Sequence, residues 1–195
     1  MLQQRSKDTK ETIRLNALRL FAKSGYSAVS MRDIANAVGI QPGAIYNHFP
    51  SKQDILVDLM MTHMVDLLAA ANNAMDGVEG TRNRLVAFAR FHISYQLDFP
   101  DHVFIAYMEL RSLEETGRQD VYVKRDEYEA ILREVLEQGV KEGTFKVANA
   151  AVQTRALLAM MTGITVWFRE DGELNRDQVI DCYVQAVLQS VGIQE

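Results

Sequence analysis

Residues 30–52 read SMRDIANAVGIQPGAIYNHFPSK, and this stretch decides what the first quarter of the chain becomes. Ser30-Met31-Arg32-Asp33 has the spacing of a capping box, in which a hydroxyl accepts from the N3 amide and the N3 carboxylate reaches back. A helix therefore opens at Ser30 and turns Ile34 and Ala35 inward. Gly39 ends it, where a positive φ is cheap for glycine. Gln41-Pro42 opens a second short helix, over about Pro42 to His48, with Pro42 at the first helical position, where its missing N–H costs nothing. Phe49-Pro50 stops it. Two short helices joined around a glycine form a helix-turn-helix, and Ala35, Val38, Ile40 and Ile45 give it a small apolar core.

The chemistry of that motif points at DNA. Recognition helices touch base edges mainly with their N-terminal residues, and Pro42-Gly43-Ala44 presents a nearly bare backbone there. Tyr46, His48 and Lys52 offer a hydroxyl, an imidazole and an ammonium to phosphate oxygens, contacts that position a protein without reading sequence. Ser51-Lys52-Gln53-Asp54 repeats the capping-box spacing, and the helix it opens adds free N–H groups for another phosphate. The net charge of −5 opposes a nucleic-acid partner, but its distribution does not. Residues 1–54 hold eight Lys and Arg against four Asp and Glu, whereas residues 55–195 hold thirteen against twenty-two. A basic first quarter on an acidic body fits one end that meets a polyanion.

Outward from the motif, helical spacing recurs and no period-two alternation is sustained. A first helix covers Asp8 to Lys23, with Ile13, Ala17, Leu20 and Phe21 on one stripe, and Gly25 stops it. After the motif a long helix runs from the Ser51 cap to about Met75. Further helices cover about Thr81 to Leu97, Asp101 to Glu115, Arg118 to Glu142, Asn149 to Arg169, and the Asn175 cap to Val191, broken at Phe99-Pro100, Gly117, Gly143-Thr144-Phe145 and Asp171-Gly172. The expected class is all-α, with nine helices. The N-terminal segment has no apolar run of the secretory kind. The longest apolar run, Ala156 to Phe168, falls short of the roughly 20 residues of a membrane-spanning helix. With one cysteine, Cys182, no intrachain disulfide forms, and a cytoplasmic protein is expected.

From Phe21 to Lys52 the pattern F-A-x-x-G-Y-x-x-x-S-M-R-D-I-A-x-x-V-G-I-x-x-G-A-I-Y-x-H-F-x-S-K resembles the DNA-binding domain of the TetR family of bacterial regulators. The resemblance implies a helix-turn-helix DNA-binding domain over 1–52, with the motif at about 31–50, and an effector-binding, dimerising body over 53–195. It implies a repressor released from a pseudo-palindromic operator by a small molecule, and carries Arg32, Gln41, Gly43, Ala44, Tyr46, Asn47, His48 and Lys52 to or near DNA. Pro42 stands where many members have a cation, so base readout rests on Asn47, Gln41 and Ala44. Arg125-Asp126-x-Tyr128, Gly139-x-x-x-Gly143-x-Phe145 and Trp167-Phe168 are similar to a branch regulating fatty-acid and steroid catabolism, which makes an acyl-CoA or another apolar metabolite the expected effector class.

Within the body, Phe88, Phe91, Tyr95, Phe104, Tyr107, Met108 and Tyr128 suit either a core or an apolar pocket with polar tips. The pocket reading takes Phe91, Tyr95, Phe104, Tyr107, Met108, Tyr128 and Trp167, with Arg111 as an anion partner. The helix from Ala156 to Phe168 is apolar nearly all round and is therefore expected to be buried on every side, either as a central helix or under a second subunit. A four-helix interface with a second copy would use Met160, Ile164, Val179, Tyr183 and Val187. His63, His92 and His102 lack metal-ligand spacing, and no nucleophile–base pair or phosphate loop is present, so no metal, cofactor or catalytic residue is expected. An enzyme on a helical bundle and an architectural DNA-binding protein without effector remain the alternatives.

Overall fold

The computed structural model describes residues 2–193, with side chains from residue 8, so the side chains of Arg5 and Lys7 lie outside the described residues. Nine α-helices and three 3₁₀ segments occur among the described residues, with no strand. The α-helices are α1 (Leu2–Ser24), α2 (Met31–Val38), α3 (Lys52–Met75), α4 (Thr81–Asp98), α5 (Pro100–Met108), α6 (Glu115–Lys141), α7 (Ala150–Thr162), α8 (Ile164–Trp167) and α9 (Arg176–Ser190). The 3₁₀ segments are Tyr26–Ala28, Ala44–Asn47 and Leu110–Ser112. The helix count matches the sequence reading, but the helix expected over Asp101 to Glu115 ends at Met108, with Leu110–Ser112 a separate 3₁₀ segment, and the membership differs at three further places.

First, the expected helix from Pro42 to His48 is a turn followed by one 3₁₀ segment. Ala44 N–H bonds the Gln41 carbonyl at 2.8 Å and His48 N–H the Ile45 carbonyl at 3.0 Å, both three residues back. Pro42 lacks a donor and Pro50 disfavours helical backbone at Phe49, so the segment is too short to nucleate the wider spiral. Second, Gly117 does not break a helix but lies in the first turn of α6. A Cβ there would stand 2.4 Å from Val57 Cγ2, so the glycine lets α6 press against α3. Third, the expected helix from Asn149 to Arg169 divides at Gly163 and ends at Trp167. The run Thr162-Gly-Ile-Thr-Val holds four β-branched residues and a glycine, all weak helix formers, and Thr165 Oγ1 bonds the Thr162 carbonyl at 3.0 Å.

The caps form as the sequence requires. Ser30 Oγ accepts from Asp33 N–H at 3.2 Å and Ser30 N–H donates to Asp33 Oδ2 at 2.9 Å. Asn175 and Gln178 repeat the box on α9, and Asn149 Oδ1 caps α7. Gly25 and Gly39 take φ of 81° and 78°.

The chain forms two compact units. One comprises residues 1–65 and 101–124, the other 66–100 and 125–195. In the first, Ile13, Ala17 and Phe21 of α1 close on Ile34, Ala35, Ile45, Phe49, Ile55, Leu56 and Leu59, and this core takes in Ile105, Leu113 and Val121 from far along the chain. Arg14 Nε and Lys10 Nζ fasten α1 to Asp58 of α3 at 2.6 and 3.0 Å. In the second unit α4 packs on α7, α8 and α9, burying Leu85, Phe88, Ile93, Leu157, Met161, Ile180 and Val184. Arg176 ties α9 to Asp98 at 2.7 Å and to the Ser94 carbonyl at 2.9 Å.

Candidate nucleic-acid interface

The candidate reading face is the turn that precedes α3. Ile45 is fully buried and Phe49 nearly so, and they pin the 3₁₀ segment to the core. That anchoring leaves Gln41, Pro42, Gly43, Tyr46 and Asn47 exposed and Ala44 and His48 half-buried. Tyr46 is 54% exposed although it is aromatic. Arg32 is exposed at the start of α2. The hydroxyl and N–H of Ser30 hold the Asp33 carboxyl below its usual range, so it stays ionised at the α2 N-terminus.

Gly43 is informative because nothing in the fold requires it. Its φ of −70° suits any residue, and an added Cβ would meet no atom within 4 Å. A glycine in helical backbone costs about 0.5–1 kcal/mol against alanine. The bare backbone therefore faces outward at a cost in stability.

Lys52 is the DNA candidate whose surroundings depart most from expectation. Its ammonium donates to the carbonyls of Tyr26 and Val29 at 2.9 and 2.8 Å and lies 4.1 Å from the centre of the Tyr26 ring. It serves the backbone of its own motif. Next to it, Gln53 Nε2 donates to Tyr26 Oη and to the Ser112 carbonyl at 2.8 and 2.7 Å. Burial, and after it the charges of Glu114 and Glu109, raise the Tyr26 hydroxyl, although the Gln53 bond works the other way. Tyr26 N–H donates to Glu109 Oε1 at 2.9 Å. No local sequence signal marks the bonds from Tyr26 to Glu109 and from Gln53 to Tyr26 and Ser112, because these partners are far apart in the chain.

In the same unit a cleft of about 560 Å³ opens beside His48 and Phe49. Its walls carry Asp54, Asp58, Glu114 and Asp120 against Lys10 and His48, which suits no phosphate. None of the expected effector residues lines it.

Those effector candidates divide between the two units. Phe104, Tyr107 and Met108 are exposed on α5, with Arg111 exposed after it. Phe91, Tyr95, Tyr128 and Trp167 belong to the other unit. Tyr95 lies between Phe91 and Phe99, with ring centres 5.6 and 4.6 Å away and the planes tilted, and burial, with Asp66 second, pushes its hydroxyl up to about 12. Tyr128 Oη lies 2.7 Å from His92 Nδ1, and Thr162 Oγ1 3.1 Å from His92 Nε2. Burial pulls His92 down to about 3, so this polar cluster is uncharged at neutral pH. One helical turn along α4, Gln96 Oε1 is buried without a hydrogen-bond partner. His92 and Gln96 share the buried face with Leu85, Phe88, Ala89 and Ile93, and that spacing could have placed them.

The interface residues expected on α7, α8 and α9 differ in what the single chain leaves accessible. Ile164, Val179 and Val187 are at most 2% exposed inside the protomer and offer no side chain to a second copy. Met160 and Tyr183 are half-buried. Within the single chain the helix around Ala156 is not covered on every side, which leaves open the reading in which a second subunit covers it. Val152, Val166 and Trp167 are 64%, 88% and 52% exposed, and Ala156 and Ala159 are exposed too. Trp167 Nε1 donates to Tyr183 Oη at 3.1 Å, with the rings stacked. These two residues, assigned to different roles, form one surface patch. Among the described residues no group of acidic, histidine or cysteine side chains could hold a metal, and no helix is long and apolar enough to cross a membrane.

Known proteins carry the same arrangement. The chain is 28% identical over 176 residues to the HTH-type transcriptional repressor KstR2 of Rhodococcus jostii, covering 88% of this chain and 85% of that one. The crystal structure of PfmR, a TetR family transcriptional regulator from Thermus thermophilus, superposes with a TM-score of 0.82 at 31% identity, covering 94% of this chain and 99% of that one. AibR, solved in complex with isovaleryl coenzyme A and operator DNA, shares the fold with a TM-score of 0.86 at 24% identity, covering 92% of this chain and 97% of that one. Residues 13–59 match the family described as bacterial regulatory proteins, tetR family, and residues 79–191 match the tetracyclin repressor-like C-terminal domain. With more than half of its length matched by the second domain alone, the chain belongs to the TetR family of bacterial regulators.

Proposed function

We propose that this regulator is a cytoplasmic repressor, not an enzyme, that binds a pseudo-palindromic operator as a homodimer and is released by a small molecule. The observation that carries the reading is the exposed face of Gln41, Gly43, Tyr46 and Asn47 on a capped, anchored helix-turn-helix. Asn47, Gln41 and Ala44 read bases. Arg32, Tyr46 and His48 hold phosphates, and Gly43 admits the duplex closely. Lys52 contributes by holding the two halves of the motif together. Residues 1–52 do the reading, and 53–195 take the effector and the second copy. The exposed patch of Val152, Ala156, Val166 and Trp167 supports a second copy there.

The effector class is an acyl-CoA, supported by the ligand of AibR and, within the unit of residues 66–100 and 125–195, by the aromatic residues Phe91, Tyr95 and Tyr128. Release follows if the effector favours a conformation whose two reading heads are wrongly spaced, a coupling of about 1–3 kcal/mol. Fluorescence anisotropy on the protein's own upstream DNA tests both halves. Binding tighter than to random duplex, weakened by Tyr46→Ala and reversed by isovaleryl-CoA but not by isovalerate, is expected. Binding no tighter than to random duplex overturns the repressor reading, and indifference to a panel of acyl-CoAs overturns the effector class.

A further inference from the structure

The connector between α1 and α2 is held by residues from distant parts of the chain. Tyr26 N–H meets Glu109 Oε1 across 83 positions of sequence. Glu109 is only 9% exposed, and its other oxygen accepts from Ser112 Oγ at 2.7 Å. A carboxylate removed from water needs donors in its place, and here a backbone amide and a hydroxyl supply them. Gly25, in the left-handed region that favours glycine, sits against the same carboxylate, since a Cβ there would lie 3.7 Å from Oε1. On the other side the Tyr26 and Val29 carbonyls take Lys52, the first residue of α3. Gln53 joins Tyr26 Oη to the Ser112 carbonyl, and Glu114 N–H donates to Gln53 Oε1 at 3.2 Å. Val29 adjoins Ser30, the cap of α2. One carboxylate thus fixes the turn whose carbonyls anchor the helix that follows the reading face.

We propose that Glu109 is a positioning residue for operator recognition, acting on the reading face through Tyr26 and Lys52. The inference rests on the DNA-binding reading above. Its sign separates it from plain electrostatics. A carboxylate repels a polyanion, so loss of its charge alone tightens binding, and does so equally in Glu109→Gln and Glu109→Ala. Glutamine keeps an amide oxygen for the Tyr26 N–H, whereas alanine keeps nothing.

The test uses the full-length protein, with anisotropy on its upstream DNA and on a shuffled duplex. Glu109→Ala is expected to lose roughly tenfold in affinity for the upstream duplex, as follows from a lost buried acceptor, and none for the shuffled one. Glu109→Gln is expected to stay within about threefold of the wild type on both. If Glu109→Ala binds the upstream duplex as tightly as the wild type or tighter, the inference is overturned and the DNA-binding reading stands. A wild type that does not prefer the upstream duplex overturns both. Should Glu109→Ala lose its helical circular dichroism, amide exchange in the wild type decides. Slower exchange at Tyr26 on binding the duplex supports the inference, and unchanged exchange overturns it.

Discussion

Gly43 and Gly117 are both glycines in helical backbone, kept for opposite reasons. At Gly117 the fold demands the missing side chain, because Val57 occupies its place. At Gly43 the fold makes no demand. Gly43→Ala is therefore expected to stabilise the protein by about 0.5–1 kcal/mol in thermal melts while weakening specific DNA binding in anisotropy. Equal or tighter DNA binding would remove Gly43 from the reading face. Gly117→Ala is expected to destabilise by about 1–3 kcal/mol, the cost of overpacking. The sequence suggests that Gly43 opens a recognition segment. That Gly117 packs rather than breaks a helix is invisible there, because its reason is a side chain on another helix. Lys52 teaches the same lesson, since its partners are carbonyls of the α1–α2 connector.

At the level of elements, the caps and stops encoded locally are legible, although the 3₁₀ type of the recognition segment and the division at Gly163 are local too and escape the reading. The Ser30 box, the Asn175 cap and the Gly39 stop depend on neighbours in sequence and form as read. The recognition segment was mistaken in type because prolines at both ends leave too few residues for four-residue spacing. The joint between α1 and α3 depends on Asp58, where burial works to raise the carboxyl but bonds from Arg14 and Lys10 outweigh it and hold the pKa below its usual range. A group depressed in the folded state adds stability above its unfolded pKa and loses it as pH falls through the folded value. Asp58→Asn is therefore expected to cost about 2 kcal/mol at neutral pH, from its charge-assisted bonds, and to show a shallower loss of stability on acidification. Denaturant titrations at neutral pH and in the acid range below the usual carboxylate pKa check this, and parallel acid limbs would contradict it.

At the level of the whole molecule, periodicity identifies an apolar face but not what covers it. Ile164, Val179 and Val187 were correctly read as apolar positions on α8 and α9, yet the protomer itself buries them. Nor does sequence spacing reveal that residues 101–124 join the unit containing the reading motif, since those contacts are long-range. The exposed residues of α7 and α8 carry the remaining prediction. Val166→Glu, at a position 88% exposed in the single chain, is expected to shift sedimentation toward monomer. It should also weaken operator binding by about a hundredfold as the second half-site loses its tethered partner. An unchanged sedimentation coefficient would place the partner surface elsewhere.

The reading face consists of side chains that the core does not use. Ile45 and Phe49 carry the anchoring, while Gln41, Pro42 and Asn47 stand exposed. Stability and sequence preference are thus borne by different residues within a few positions of each other. If Gln41 and Asn47 read bases as proposed, exchanges there redirect the protein to a new operator with little loss of fold, and its target is free to drift while its scaffold stays the same.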